Sequence, residues 1–313
     1  MDTRSEVREF LSTRRARITP DQAGLPAFGG NRRVPGLRRE EVSLLAGVSV
    51  DYYTRLERGD LSGASDSVLD ALARALQLDE AETAHLFDLA RAANASPVVR
   101  TPRKKPGELR PSILRLLDAM TEAPAVVRNN YFDYLAANAL GRALYAPVFA
   151  QPQPNSARFA FLDPAAQDFY PEWDRNTREL VAAMRGEAGR NPFDRKLTDL
   201  VGELSTRSER FRTLWAAHDV RFHRTGVKRI AHPVVGEIEL TYEAFALPAD
   251  PGLHLSTYTA EPGTASADKL RMLASWAATE AAASEAPAPE AVASGTAHVV
   301  DTAPERATGR ADA

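Results

Sequence analysis

The sequence contains no cysteine. That single absence excludes structural disulfides, thiolate metal sites and cysteine nucleophiles, and it fits a reducing compartment. Histidine is sparse, at 6 residues in 313. His218 and His223 are spaced so that they share a helical face poorly, and no His-Glu-x-x-His occurs, so neither a metal nor a cofactor is expected. Gly-x-Ser-x-Gly is missing, which removes the strand-to-helix nucleophile of the serine hydrolases. Gly29 and Gly30 lack the lysine and following Ser or Thr of a phosphate-cradling loop. The adjacent acids Glu40 and Glu41 sit beside arginines, where they orient neighbours or repel nucleic acid locally rather than catalyse. No uninterrupted apolar run is long enough to span a membrane, and no apolar segment follows the charged start MDTRSEVREF to act as a signal peptide. The expectation is a cytoplasmic protein that is not an enzyme and does not bind membranes.

What is present suits a globular chain of more than one domain: 313 residues, 44% hydrophobic and 26% charged. The net charge of −3 is unevenly distributed. Arg14, Arg15, Arg17, Arg32, Arg33, Arg38 and Arg39 stand against one acid, Asp21, while the remainder is acidic. Periodicity predicts a helix over 2–17, a Pro- and Gly-broken extended arm over 18–36, and helices near 39–46, 50–58, 67–77 and 80–93, the last opened by a capping box between Asp79 and Glu82. An all-α domain over 1–95 follows. A basic, Pro-rich linker over 96–111 leads to a second domain over 112–280. Its first half patterns as helices near 112–121, 134–145, 174–185 and 194–216. Strand-like alternation from Val234 to Phe245 and from His254 to Thr259 precedes a final helix near 266–279. The last segment, 281–313, is poor in large apolar residues and is expected to be disordered. The fold class is therefore α+β.

The most informative segment is REEVSLLAGVSVDYYTRLERG, from Arg39 to Gly59. Val42, Leu45 and Ala46 share one helical face, Gly47 suits a left-handed helix end, and Val48 plugs the turn. Ser49 can cap a second helix, on which Tyr53 and Leu56 return to the same core. Val50, Asp51, Thr54, Arg55 and Arg58 then face outward, in the positions that a recognition helix offers to the major groove. An ordinary helical hairpin is the alternative on pattern alone.

The longer run RRVPGLRREEVSLLAGVSVDYYTRLERG resembles the helix-turn-helix of Xre-type regulators, in the subgroup with a PGLRREEV entry. The resemblance implies double-stranded DNA as partner, with the second helix in the major groove. Base reading would then fall to Val50, Asp51, Thr54 and Arg55: the guanidinium can donate twice to guanine, and Val50 or the Thr54 methyl can meet a thymine methyl. For Asp51, accepting from cytosine and simply suiting the helix dipole both stay open. Arg38, Arg39, Arg58, Ser49 and Tyr52 are candidates for phosphate, and Arg32 and Arg33 for an arm that reaches the backbone or an adjacent groove. Packing remains the alternative for Tyr52.

The segments VRNNYFDYLAANALGRALY and FRTLWAAHDVRFHRTGVKRIAHPVVGEIELTYEAFALPADPGLHLSTYTAEPG resemble the ligand-binding domain of MmyB-like regulators, which is PAS-like in fold. The resemblance implies a homodimer or a small, largely apolar ligand such as a fatty acid. Tyr131, Tyr134, Phe169, Trp173, Trp215 and Tyr242 are candidate pocket walls, with Asn130, Asn138 and His218 as candidate polar anchors. Core packing is the alternative for each. The expected function is a sequence-specific transcriptional regulator that senses this ligand; the alternative is a constitutive DNA-binding regulator whose C-terminal domain serves only dimerisation or protein contacts.

Overall fold

The computed structural model describes residues 3–26, 34–94, 109–221 and 224–285. The first helix, α1 (Thr3–Arg17), turns Val7, Phe10 and Leu11 fully inward. Residues expected to begin a free arm instead form a compact turn. Leu25 N–H donates to the Pro20 carbonyl at 2.9 Å, and the Gln77 side-chain amide donates to the Gln22 carbonyl at 2.9 Å, which ties the turn to the domain. Arg32 and Arg33 lie outside the described residues.

Four further helices follow close to the expected bounds: α2 (Arg39–Ala46), α3 (Val50–Glu57), α4 (Asp66–Ala75) and α5 (Glu80–Asn94). The capping box before α5 forms as the spacing predicts: Glu82 N–H donates to Asp79 Oδ1 at 2.8 Å, and Asp79 N–H to Glu82 Oε2 at 3.2 Å. Leu37, Val42, Tyr53, Leu56 and Leu72 from these segments join Phe10 of α1 in one core. Of the linker expected over 96–111, residues 96–108 lie outside the described residues, whereas Arg110, paired with Asp250 at 2.6 Å, packs with the second domain.

That domain opens with α6 (Pro111–Ala119), β1 (Ala125–Asn129) and β2 (Tyr134–Ala137). Short helices follow: α7 (Ala139–Leu144), α8 (Ala146–Phe149), α9 (Ser156–Leu162) and α10 (Ala165–Phe169). Three longer ones are α11 (Trp173–Arg190), α12 (Arg195–Arg207) and α13 (Glu209–Ala216). The chain ends its described course with β3 (Thr225–His232), β4 (Gly236–Ala246), β5 (Leu253–Thr259) and α14 (Ala265–Glu285). One antiparallel sheet runs in the order β2-β1-β5-β4-β3, so the strands from both ends of the domain meet at β1 and β5. The architecture is α+β. On one sheet face, Ala125, Val127 and Leu255 pack on Ile113 and Leu117 of α6. On the other, Val126, Ile230, Leu240 and Tyr258 meet Leu144, Tyr145 and Leu273 from α7, its end and α14.

Four further expectations change. The stretch 134–145 is not one helix: Asn138 interrupts it by accepting from Gly141 N–H at 2.7 Å, and the residues before it pair with β1. Ser208 splits the helix expected over 194–216, its hydroxyl accepting from Phe211 N–H at 3.2 Å. Val234 falls in the β3–β4 turn and is 52% exposed. Helix α14 continues to Glu285, past the expected start of the tail at 281, and residues 286–313 lie outside the described residues.

The two domains dock along α11, which packs against α5 of the first domain and reaches α1 through a buried polar cluster. Arg185 of α11 is fully buried, pairs with Glu6 of α1, and lies 4.1 Å from the centre of the Trp215 ring. Burial would raise the Glu6 carboxyl, but His218 and Arg185 outweigh it and hold the pKa down to about 2. Arg14, with 1% of its side chain exposed, pairs with Glu82 at 2.8 Å and donates to the His218 carbonyl. Arg17 bridges Glu82 at 3.0 Å and Asp219 at 2.7 Å. Val220 completes the apolar part of the junction by entering the first domain's core.

At the centre of this contact, His85 of α5 lies against Gly189 of α11, with the Phe10 ring 5.0 Å from its own. Burial lowers the His85 pKa to about 3, so the imidazole is neutral. A Cβ on Gly189 would stand 2.4 Å from both Cε1 and Nδ1 of His85. Gly189→Ala should therefore cost about 1–3 kcal/mol in denaturant unfolding, as overpacked interiors do. Gly202→Ala in α12, where a Cβ meets nothing within 4 Å, is the control; it should gain about 0.5–1 kcal/mol from helix propensity.

Candidate nucleic-acid interface and ligand cavities

The connection between α2 and α3 forms as its residues dictate. Gly47 is left-handed, at φ 65°, and Val48 N–H donates to the Ser43 carbonyl at 3.0 Å. The Ser49 hydroxyl accepts from Tyr52 N–H at 3.1 Å, one of the donors left over at a helix start. Tyr53 and Leu56 are fully buried. The opposite side of α3 presents Val50, Asp51, Arg55 and Arg58 to solvent, with Thr54 half-buried beside them. Arg55 stacks 4.9 Å above the Tyr52 ring and comes only within 3.9 Å of Asp60. Tyr52 thus supports a base-reading candidate through packing while remaining half-buried. Arg38 is exposed just ahead of α2, with its own N–H donating to Glu41 Oε2 at 2.6 Å.

Arg39 has a second task. Its guanidinium pairs with Glu57 at 3.0 Å while 49% of its side chain stays exposed. Glu57 also accepts two hydrogen bonds from Arg15, at 2.8 and 2.9 Å, and is 2% exposed. Burial would raise the Glu57 carboxyl, but the two arginines prevail and lower it below its ordinary value. This acid ties α3 to α1 and α2. It was not singled out from sequence, although an acid in the last turn of a helix opposes the dipole and signals a tertiary partner.

The ligand candidates do not converge on one place. Between α11 and the sheet lies an inner cavity of about 30 Å³, whose walls include Tyr134, Arg128, Tyr170, Lys228 and Tyr258. Burial lowers the Lys228 amine to about 8, and its nitrogen stands 5.9 Å from the ring of Tyr242. The lining thus mixes three tyrosines, two cations and the polar residues Ser156, Asn176 and Ser256 with a few apolar groups. A larger open cavity of about 540 Å³ lies at the domain junction and includes Asn130. The other candidates are engaged elsewhere. Asn138 is saturated, accepting from Ala125 and Gly141 N–H and donating to the carbonyls of Met120 and Ala123. Tyr131 donates to Asp194 at 2.8 Å, and Trp173 donates to the Ala160 carbonyl at 2.9 Å. Phe169 packs among Tyr145, Phe159 and Tyr170. Trp215 stacks on Phe211, and His218 contacts Glu9 at 2.7 Å in the domain junction.

A short helix held across a left-handed glycine turn, with its outer face free and basic, defines a helix-turn-helix DNA-binding protein. Comparison with known families agrees: a helix-turn-helix domain profile matches residues 7–86, and the MmyB-like transcription regulator ligand binding domain matches residues 109–273. The chain belongs to the MmyB-like transcription regulator ligand binding domain family. No curated protein matches it significantly. Among the described residues no helix is long and apolar enough to cross a membrane.

Base reading and phosphate contact are separable by mutation. Arg55→Ala should cost about 1–3 kcal/mol on the preferred duplex and relax the preference at one base pair. Arg58→Ala should weaken all duplexes alike and lower the salt slope by about one. Fluorescence anisotropy on matched and single-base-changed duplexes at several salt concentrations checks both; uniform losses from both variants would remove Arg55 from base reading.

Proposed function

We propose that the protein is a sequence-specific transcription regulator whose C-terminal domain, PAS-like in fold, senses a small and largely apolar ligand such as a fatty acid. It acts in the cytoplasm as a homodimer. Val50, Asp51, Thr54 and Arg55 read bases, Arg38, Arg39, Ser49 and Arg58 hold phosphates, and Tyr52 steadies Arg55. One helix-turn-helix spans only a short half-site, so two-fold pairing on an inverted repeat supplies the remaining specificity.

The observation that carries the sensing role is the double duty of α11. Asn176 and Leu180 form one wall of the inner cavity, while Arg185 and Gly189 farther along the same helix receive Glu6 and His85 of the DNA-binding domain. The inner cavity, at about 30 Å³, has room for little more than water. An apolar ligand entering it displaces α11 from the sheet, and that displacement reaches the docking contact. Binding then favours one domain arrangement over the other, which is the requirement for a switch. The small cavity is equally the observation behind a second reading, a constitutive regulator whose C-terminal domain serves only dimerisation or protein contacts.

The deciding experiment selects an operator from random DNA and then measures its affinity with and without a panel of fatty acids. Sensing predicts a change of at least about tenfold for one of them, equivalent to about 1.4 kcal/mol of coupling. No change across the panel, and no ligand retained in a native mass spectrum, would favour the constitutive reading.

A further inference from the structure

The wide cavity at the domain junction has a chemistry unlike that of an apolar pocket. Its walls carry Arg91 from α5 and Arg128, Arg190, Arg221 and Arg224 from the second domain, against two carboxylates, Asp88 and Glu187. Both acids are already occupied by arginines three residues along their own helices: Asp88 by Arg91, and Glu187 by Arg190 at 2.6 Å. Arg224 has Glu80 at 3.2 Å. Among the described residues, no carboxylate comes within ion-pair distance of Arg128 or Arg221.

Arg128 is the more demanding of these two. Only 7% of it is exposed, its guanidinium lies 4.6 Å over the Phe132 ring, and among the described residues that group donates one hydrogen bond, to the neighbouring Asn129 carbonyl at 3.3 Å. Its remaining donors face the open cavity with no partner among the described residues, and an anion there can accept from them. Donors of other kinds stand beside it. His254, kept neutral by burial and by Arg128, bonds Asn130 Oδ1 at 3.1 Å, which leaves the Asn130 amide nitrogen able to donate into the same space.

We propose that this junction cavity binds a small organic anion, a metabolite bearing carboxylate or phosphate groups, held by Arg128 and Arg221 with Asn130. Its volume of about 540 Å³ is that of a metabolite site. Because Asp88 and Arg91 of the DNA-binding domain line the same cavity, an anion held by Arg128, Arg221 and Asn130 sits against both domains. It is a second ligand, distinct from the apolar molecule proposed for the inner cavity, on whose wall Arg128 also stands.

Calorimetric titration of the full-length chain, without DNA, with citrate as a carboxylate probe and pyrophosphate as a phosphate probe tests this directly. One probe should bind with a Kd below about 1 mM, and the tighter of the two assigns the ligand's chemistry. Arg221→Glu, at an exposed position, should raise that Kd about tenfold or more, since it places a like charge against the anion. Arg128→Gln should abolish binding while retaining the wild-type circular dichroism spectrum. Failure of both probes to saturate below about 10 mM, or an Arg221→Glu variant that binds as the wild type does, would overturn the proposal. Since no operator is involved, such a failure leaves the DNA-binding and apolar-ligand readings standing.

Discussion

The arrangement of the two domains depends on one buried ion pair. Arg185 projects from α11 with no exposed surface and meets Glu6 of α1, with His218 and Trp215 closing around it. Neither charge could remain there alone, because an unpaired buried ion costs several kcal/mol. Each domain therefore supplies the partner that makes the other's buried charge tolerable. Around that pair the packing is equally specific: His85 fits only because Gly189 has no side chain, and Val220 enters a core otherwise built by the first ninety or so residues. Polar specificity and shape thus fix the same arrangement.

A comparable tie operates within the DNA-binding domain. Glu57 receives Arg15 and Arg39, so the end of α3 is fixed to α1 and to the start of α2. Since α1 also carries Glu6, Arg14 and Arg17, the path from α11 to α3 passes through one helix and two carboxylates. In this way α11 is connected to α3 through buried ion pairs. Arg39 stands at the end of this path with about half of its side chain still exposed, although it pairs with Glu57.

Local signals in the sequence were enough for the first domain. Gly47, Ser49 and the Asp79–Glu82 pair each set a helix boundary through their own backbone bonds, and the structure places those boundaries as expected. The second domain was less legible because its signals are tertiary. In β1 the run from Ala125 to Arg128 is buried throughout, so it lacks the alternation that marks a half-exposed strand. Asn138 looked like a ligand anchor, yet its four partners lie in the α6–β1 connection and the start of α7. Arg128, Arg185 and Glu57 could not be picked out among 81 charged Asp, Glu, Lys and Arg residues, the sum of 39 basic and 42 acidic ones. What distinguishes them is burial, which a single sequence does not display.

The central claim is that the Glu6–Arg185 pair unites the domains energetically and does not merely lie between them. A double-mutant cycle in the full-length chain, using Glu6→Gln, Arg185→Met and the double variant in denaturant unfolding, measures that directly. The account predicts a coupling energy of about 1–3 kcal/mol, with the double variant more stable than the sum of the single losses implies. Strictly additive losses would contradict it.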